Sequence, residues 1–519
     1  MELMKDPFLR EVLWFSGCCR ALTFLLQVLF NAIIPDHAAD AFSPPRLCEP
    51  GLGDHLVEWL LGGFTRWDAE HFLFIAEHGY LFEHNFAFFP LYPLSVRAVA
   101  QLLLWPLQDL LCLRSRLILV AVSLNCFLAS LAAAVLYRLG CVVLQCRRTA
   151  FLSAMLFALT PANVFMAAAY SESFFAFLTF SAMWKLEKRE SWLSCLLFSL
   201  ATGVRSNGVI NAGFIIYSQC KQIVSVLRVG PPSLGRLPSV LRLLCRAAVS
   251  TALSCLVIVL PFTLFQYYAY MTFCEPDPGP EQAVPRPLIQ LALDRGYRMA
   301  EVNGTLPGWC AYKYPLVYSY IQDVYWNVGF LRYFDARQLP NFLLAMPVIL
   351  LSVCAAWGYV AALPWYCARL GLLRNRDAKD SETASVGFHS PRLFVYIVHS
   401  SALLLFGLLC MHVQVLTRFL GSSSPVLYWF AAHLLEAEPV LWGPSPGTIQ
   451  NDLPGEEMSR KPALHLLSTP PRAVVVKNPV VNLLLGWRRW NAVTKAVMSY
   501  FLCYWLMGLV LFCNFLPWT

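Results

Sequence analysis

The run Arg66-Trp67-Asp68-Ala69-Glu70-His71-Phe72 sets two carboxylates and an imidazole among aromatic side chains, in a chain that is otherwise strongly apolar. A carboxylate in semi-apolar surroundings suits a general base, because partial desolvation raises its affinity for a proton. Asp68 and Glu70 stand at i and i+2, so on a helix they diverge and only one of them points into a given cavity. The plain alternative is a pair of solvated loop acids, the usual state of such groups. Trp67, His71, Phe72 and Phe74 surround them and speak for the pocket, and at this level both readings stand.

Other polar residues interrupt apolar stretches, where each is costly and marks either function or helix contact. Tyr170-Ser171-Glu172-Ser173 follows Pro161-Ala162-Asn163, and Gly203-Val204-Arg205-Ser206-Asn207-Gly208 places an arginine between two glycines. Glu172 and Arg205 either pair with one another, or Arg205 holds a phosphate, which its planar fork and fixed charge suit. Arg418, in His412-Val413-Gln414-Val415-Leu416-Thr417-Arg418-Phe419, is a second phosphate candidate or a side chain snorkelling to the interface. The run from Tyr318 to Phe330, with Gln322 and Asp323, mixes stacking faces and hydrogen-bonding groups as sugar rings favour, and reads equally as an aromatic belt. Asn85 to Pro93 reads as an interfacial aromatic segment that also suits the floor of a lipid groove.

These residues need a frame, and composition supplies it. The 519 residues are 58% hydrophobic and 13% charged, with mean hydropathy +0.56, whereas soluble domains carry about 25% charged residues. The expectation is an all-α polytopic membrane protein, a single integral unit over residues 1–519. Apolar runs at Leu13–Ile34, Leu117–Val143, Ala150–Ala168, Ser171–Trp184, Trp192–Gly203, Val209–Ser218, Ala247–Tyr270, Phe342–Leu363, Leu393–Cys410, Val426–Leu435 and Val497–Phe512 predict about eleven spanning or half-spanning helices. The first follows Lys5 and Arg10 and lacks a small-x-small cleavage site, so it reads as a retained signal anchor with a cytosolic N-terminus.

Charge orients the runs. Cys220 to Arg246 carries lysine and arginine without acid, and Arg369–Arg392 and Met458–Arg489 are also basic, so these face the cytosol. Acids from Asp36 to Glu83 face only Arg46 and Arg66 in the segment Pro35–Tyr92, which puts a first lumenal loop with interfacial helices at 36–116. A second lumenal loop at 271–339 contains the acceptor sequon Asn303-Gly304-Thr305. The net charge of +8 fits cytosolic loops against anionic headgroups and not a nucleic-acid surface. Of the 18 cysteines, Cys274 and Cys310 are placed to pair, whereas Cys48 has no obvious partner. No spacing suits a zinc site, and residues 443–477 read as a flexible cytosolic linker.

Beyond chemistry, long stretches carry a likeness. Phe30 to His37, Trp67 to Phe72, Glu83 to Pro90, Gly203 to Gly208, Ser319 to Phe330 and Asn514 to Thr519 resemble the GPI mannosyltransferase 2 family, the class V phosphatidylinositol-glycan biosynthesis proteins, from the first span to the last residue. The resemblance implies a GT-C type glycosyltransferase of the endoplasmic reticulum membrane with a lumenal site. It would add the second mannose, in α-1,6 linkage, from dolichyl-phosphate mannose to the GPI precursor. A β-linked donor and an α product imply one inverting displacement with a single carboxylate base. Asp68 takes that role, Arg205 or Arg418 steadies the leaving phosphate, and Glu70 and His71 orient the acceptor. Arginines replace a divalent ion in this scheme, so no metal or other cofactor is expected. The rival readings are another GT-C step on a lipid-linked glycan, a lipid or solute transporter, and a non-catalytic scaffold; no inverted repeat is evident. The residues point to no particular partner subunit.

Overall fold

The computed structural model describes residues 6–228, 237–275, 284–299, 306–373, 386–438, 441, 478–516 and 518. The linker at 443–477, the sequon at Asn303 and residues 276–283 of the second lumenal loop fall outside the described residues. Among those described there is no strand beyond an isolated Phe82–Met299 bridge.

Helix α1 (Pro7–Ile33) starts where the Asp6 side chain accepts from the Phe8 amide and Pro7 pre-sets the first turn. The first polar segment folds as α2 (Leu52–Leu61), α3 (Asp68–His78) and α4 (Leu91–Leu103) before α5 (Leu113–Val143) returns through the bundle. Then come α6 (Arg147–Ala158), packed on α5, the hairpin of α7 (Glu172–Glu187) and α8 (Ser191–Val204), and α9 (Ala212–Leu227), which packs on the following α10 (Leu237–Phe273). The second polar segment holds α11 (Arg286–Arg295) and α12 (Val317–Val324). The chain continues through α13 (Leu339–Ala362), short α14 (Pro364–Ala368), α15 (Phe394–Cys410), α16 (Leu416–Ser423), α17 (Val426–Leu435), α18 (Pro479–Leu485) and α19 (Ala492–Cys513).

Each of the eleven expected apolar runs contains a helix, but only six helices among the described residues (α1, α5, α10, α13, α15 and α19) are long and apolar enough to cross a membrane. With ~1.5 Å rise per residue, the 12 residues of α6 and the 14 of α8 reach only about 18–21 Å, short of a ~30 Å hydrocarbon layer. The run expected at Ala150–Ala168 is therefore a half-helix and a turn. Pro161 disfavours helix at the residue before it, and the chain folds back through a 3₁₀ turn at Asn163–Met166 into α7. Gly208 allows the equivalent turn after α8, because a Cβ there would stand 2.5 Å from the Thr202 nitrogen. Irregular backbone at such depth survives only when protein buries it, and here it is sealed: Leu159 to Ser173 is buried throughout.

Two hydrophobic clusters meet at this turn. One runs through Phe151, Phe157, Tyr428, Trp429 and Phe501, and the other through Phe64, Phe72, Tyr92, Phe165, Tyr170 and Phe512 beneath α3. On the outside, α10 exposes Leu253, Leu256, Leu260 and Leu264, as a lipid-facing helix does. The first and second polar segments touch, with the Glu83 amide on the Arg298 carbonyl at 2.9 Å, and so share one face. Cys274 and Cys310 form the expected disulfide. Cys48, which lacked an obvious partner in the sequence, is joined to Cys112 across 64 residues. Cys112 is the N-cap of α5, at the edge of an apolar run, and was not singled out from the sequence.

Candidate active site

Asp68 opens α3, and Trp67 before it is held at φ 58°, ψ −130°, a strained conformation for a bulky residue. The neighbours over-determine that strain. Arg66 lies over the Phe515 ring at 4.6 Å, pairs with Asp36 at 2.8 Å and donates to the Cys513 carbonyl at 3.4 Å. The Trp67 ring meets the same Phe515 edge-on at 5.9 Å. The segment after α19 is thus part of the mould around the catalytic-base candidate.

From Asp68 a line of alternating charge runs inward. Its Oδ2 accepts from Arg418 Nη2 at 3.0 Å; Arg418 Nη1 is 3.7 Å from Glu172 Oε1; and Arg205 Nη1 is 2.6 Å from that same oxygen. Arg205 also donates to Ser171 Oγ at 3.2 Å. Four segments distant in sequence supply these groups: the α3 N-terminus, the α7 N-terminus, the end of α8 and the short α16. The side chains are 32% (Asp68), 16% (Arg418), 0% (Glu172) and 21% (Arg205) exposed, so Asp68 and Arg205 are the accessible ends. Burial works against the charge of Arg418, but Asp68 and Glu172 hold its proton above the ordinary arginine range. Its guanidinium is further seated over Phe165 at 5.0 Å and Tyr170 at 5.4 Å. A pair at ~4 Å gains about 4 kcal/mol at an effective dielectric near 20, against several kcal/mol to desolvate each ion. Stability alone does not account for two such pairs side by side.

Asn125, in the middle of α5 and fully buried, was not singled out from the sequence. Its Nδ2 donates to Tyr92 Oη at 3.0 Å, to the Tyr170 carbonyl at 2.8 Å and to the Ala168 carbonyl, clamping the turn that carries Ser171 and Glu172. A lone asparagine inside an apolar run was the signal available for it. Arg20 does similar service from α1, donating to Ala158 O at the α6 C-terminus at 2.7 Å.

The remaining candidates lie elsewhere. Glu70 turns away from Asp68 as the i, i+2 spacing requires, pairing with Arg114 at 2.5 Å and Arg46 at 3.0 Å. His71 is stacked between Phe42 at 4.3 Å and Phe88 at 4.6 Å, and burial pushes its pKa down to about 3. Neighbouring His84 is also pushed well down, by burial and by His71. Asn207 donates to Ser423 Oγ at 3.1 Å, tying the Arg205 turn to the end of α16. Asp323 pairs with Arg332 on the exposed surface, and neither it nor Gln322 joins the charged line. The second polar segment reaches the site instead through Tyr318, whose hydroxyl accepts from Ser206 Oγ at 2.8 Å. Among the described residues no three His, Cys, Asp or Glu side chains gather as metal ligands.

A family model described as Mannosyltransferase (PIG-V) matches residues 9–519. The chain belongs to the PIG-V mannosyltransferase family. As a PIG-V chain it is a glycosyltransferase and a multi-pass membrane protein. It is 54% identical over 516 residues to the GPI alpha-1,6-mannosyltransferase 2 of Homo sapiens, covering 99% of each chain. It is 55% identical to the GPI alpha-1,6-mannosyltransferase 2 of Cricetulus griseus over the same length and coverage. A solved oligosaccharyltransferase, AglB from Archaeoglobus fulgidus in complex with an inhibitory peptide and a dolichol-phosphate, is similar with TM-score 0.41 and 11% identity, over 96% of this PIG-V chain and 56% of that chain.

Proposed function

We propose that this protein transfers mannose in α-1,6 linkage from dolichyl-phosphate mannose to a GPI precursor already bearing one mannose, at the lumenal face of the endoplasmic reticulum, within a GT-C type fold. The Asp68–Arg418–Glu172–Arg205 line carries this reading. It joins one accessible carboxylate to guanidinium groups with donors to spare. Arg205 bonds Glu172 and Ser171 through Nη1, while a guanidinium offers five N–H groups, enough to grip a phosphodiester as well.

In the reaction, an Asp68 oxygen takes the proton of the acceptor 6-hydroxyl as the hydroxyl's own oxygen bonds to C1 of the mannosyl group from the face opposite the phosphate. The C1–O bond to phosphate breaks, its electron pair leaves with dolichyl phosphate, and the arginines receive the growing charge. One displacement inverts the β-linked donor to an α product. No step needs a divalent ion: the Asp68 and Glu70 carboxylates point to different arginines and do not converge on one cation. Six crossing helices and two disulfides on one face are consistent with a membrane site opening to an oxidising lumen.

The test is mannose transfer from dolichyl-phosphate mannose to a one-mannose GPI precursor, in membranes lacking the endogenous enzyme and supplied with this chain or with Asp68→Asn at matched abundance. Two-mannose product from the wild type alone supports the reading. Absence of product from the wild type overturns the substrate assignment, and full activity of the variant removes Asp68 from the chemistry.

A further inference from the structure

Tyr170 is 2% exposed, and its hydroxyl accepts from the backbone amide of Asp68 at 3.0 Å. This bond answers a problem in the local sequence. The first amides of a helix have no intrahelical partner, and a side-chain oxygen at the N-cap normally takes one of them. Here the N-cap is Trp67, which has no acceptor, and the nearest acceptor is the Asp68 carboxylate itself. Short aspartates readily turn back on backbone amides at such positions, and an acid so engaged is poorly placed to take a proton from a substrate.

The next two amides of α3 are satisfied within the turn. Ala69 N–H donates to the Arg66 carbonyl at 3.3 Å and Glu70 N–H to the Trp67 carbonyl at 3.1 Å, so among the first three residues of the helix it is the Asp68 amide that needs an acceptor from outside. Tyr170 meets it from a different element, the turn before α7. That turn is itself fixed, because Asn125 Nδ2 donates to the Tyr170 carbonyl at 2.8 Å. The tyrosine ring packs edge-on against Phe165 at 5.0 Å and Phe512 at 5.6 Å and lies beneath the Arg418 guanidinium.

We propose that Tyr170 is a positioning residue that caps α3 from outside, releasing the Asp68 carboxylate from its own helix so that it faces Arg418 and the acceptor hydroxyl. The inference rests on the reading of Asp68 as the base. Ring and hydroxyl have separable duties. The ring supports Arg418 and the core; the hydroxyl alone holds the Asp68 amide. Without the hydroxyl the half-buried amide is left without its acceptor, and the carboxylate rotates back to satisfy it.

The experiment measures kcat and the donor KM per molecule of detergent-purified protein for the wild type, Tyr170→Phe, Tyr170→Leu and Asp68→Asn, so that differences in expression do not enter. Tyr170→Phe keeps the ring and is expected to lower kcat roughly 10-fold, the rate equivalent of one hydrogen bond, with donor KM within about 2-fold of wild type. Tyr170→Leu also removes the seat of Arg418 and is expected to lose more, with KM raised. Wild-type kcat in Tyr170→Phe, beside an inactive Asp68→Asn, overturns the capping role and leaves the base in place. An active Asp68→Asn overturns the reading of the base on which the role depends. A Tyr170→Phe defect confined to KM also overturns it, because a hydroxyl that only shapes donor binding does not orient the base.

Discussion

The first turn of α3 presents its two acids to two different environments. Asp68 keeps one oxygen on Arg418 and a third of its side chain open, on a line of charge built from four segments. Glu70, two residues on, is 9% exposed and has both oxygens engaged, one by Arg114 and the other by Arg46. Both acids favour the positive end of the helix, so the helix does not distinguish them. The difference lies in what the tertiary fold leaves unsatisfied: Glu70 ties the first polar segment to the start of α5, whereas Asp68 retains lone pairs for a substrate. A carboxylate with its partners completed is a fastener, and one with partners missing is available for chemistry.

The comparison breaks most sharply by mutation of each acid to its amide. Asp68→Asn is expected to reduce mannose transfer at least 10³-fold, about 4 kcal/mol of transition-state stabilisation, with a smaller loss of thermal stability than Glu70→Gln because the partly exposed Asp68 is the one carboxylate lost and Arg418 keeps Glu172 at 3.7 Å. Glu70→Gln is expected to do the opposite. It leaves Arg114, buried at 10% exposure, with only the Glu77 carboxylate 4.0 Å away and removes the carboxylate from Arg46, so thermal unfolding in detergent should show a loss of about 3 kcal/mol while transfer per folded molecule stays within roughly 3-fold. Equal losses of turnover in both variants would erase the distinction.

The two arginines sharpen it further. Arg418 touches Asp68, and Arg205, at the other accessible end, bonds Glu172 and Ser171 and does not reach Asp68. Lysine keeps the charge but loses the planar fork. Arg205→Lys is therefore expected to raise the donor KM about 10-fold with kcat little changed, and Arg418→Lys to lower kcat by a similar factor; steady-state kinetics against donor concentration separates them.

Much of this was legible in the sequence. Asp68, Glu172, Arg205 and Arg418 stood out because ionised side chains beside apolar runs are expensive, and the fold brings all four together. The i, i+2 rule foretold that Glu70 would diverge. Helix positions were legible from apolar runs, but their depth was not: nothing local in Ala150–Ala168 says whether a run crosses or turns back at Pro161. Asn125 was passed over, and Tyr170 was read only as one member of the run before Glu172, because their roles are bonds to backbone groups that residue types alone do not specify. The Cys48–Cys112 link was hidden by 64 residues of separation. The likeness of the Asn514–Thr519 segment was visible, but its purpose needed Phe515 under Arg66 and Trp67.

A smaller effect concerns the imidazole on the same helix. His71 would be protonated below about 6.5 in an unfolded chain, yet burial between Phe42 and Phe88 holds its folded pKa near 3. Between those values the unfolded state binds the extra proton, so stability rises with pH through this window and falls on acidification. From pH 7 to pH 5 the loss from this residue is about 2 kcal/mol. His71→Phe keeps a flat ring in the stack and should flatten that part of the dependence of unfolding on pH, leaving a residue from His84, which is depressed in the same sense. Because the ring stays neutral and covered on both faces throughout, the pH profile of mannose transfer should keep its midpoint in His71→Phe. A shifted midpoint would move His71 from the packing of the first polar segment to the company of Asp68, and would place the edge of the site one helical turn further along α3.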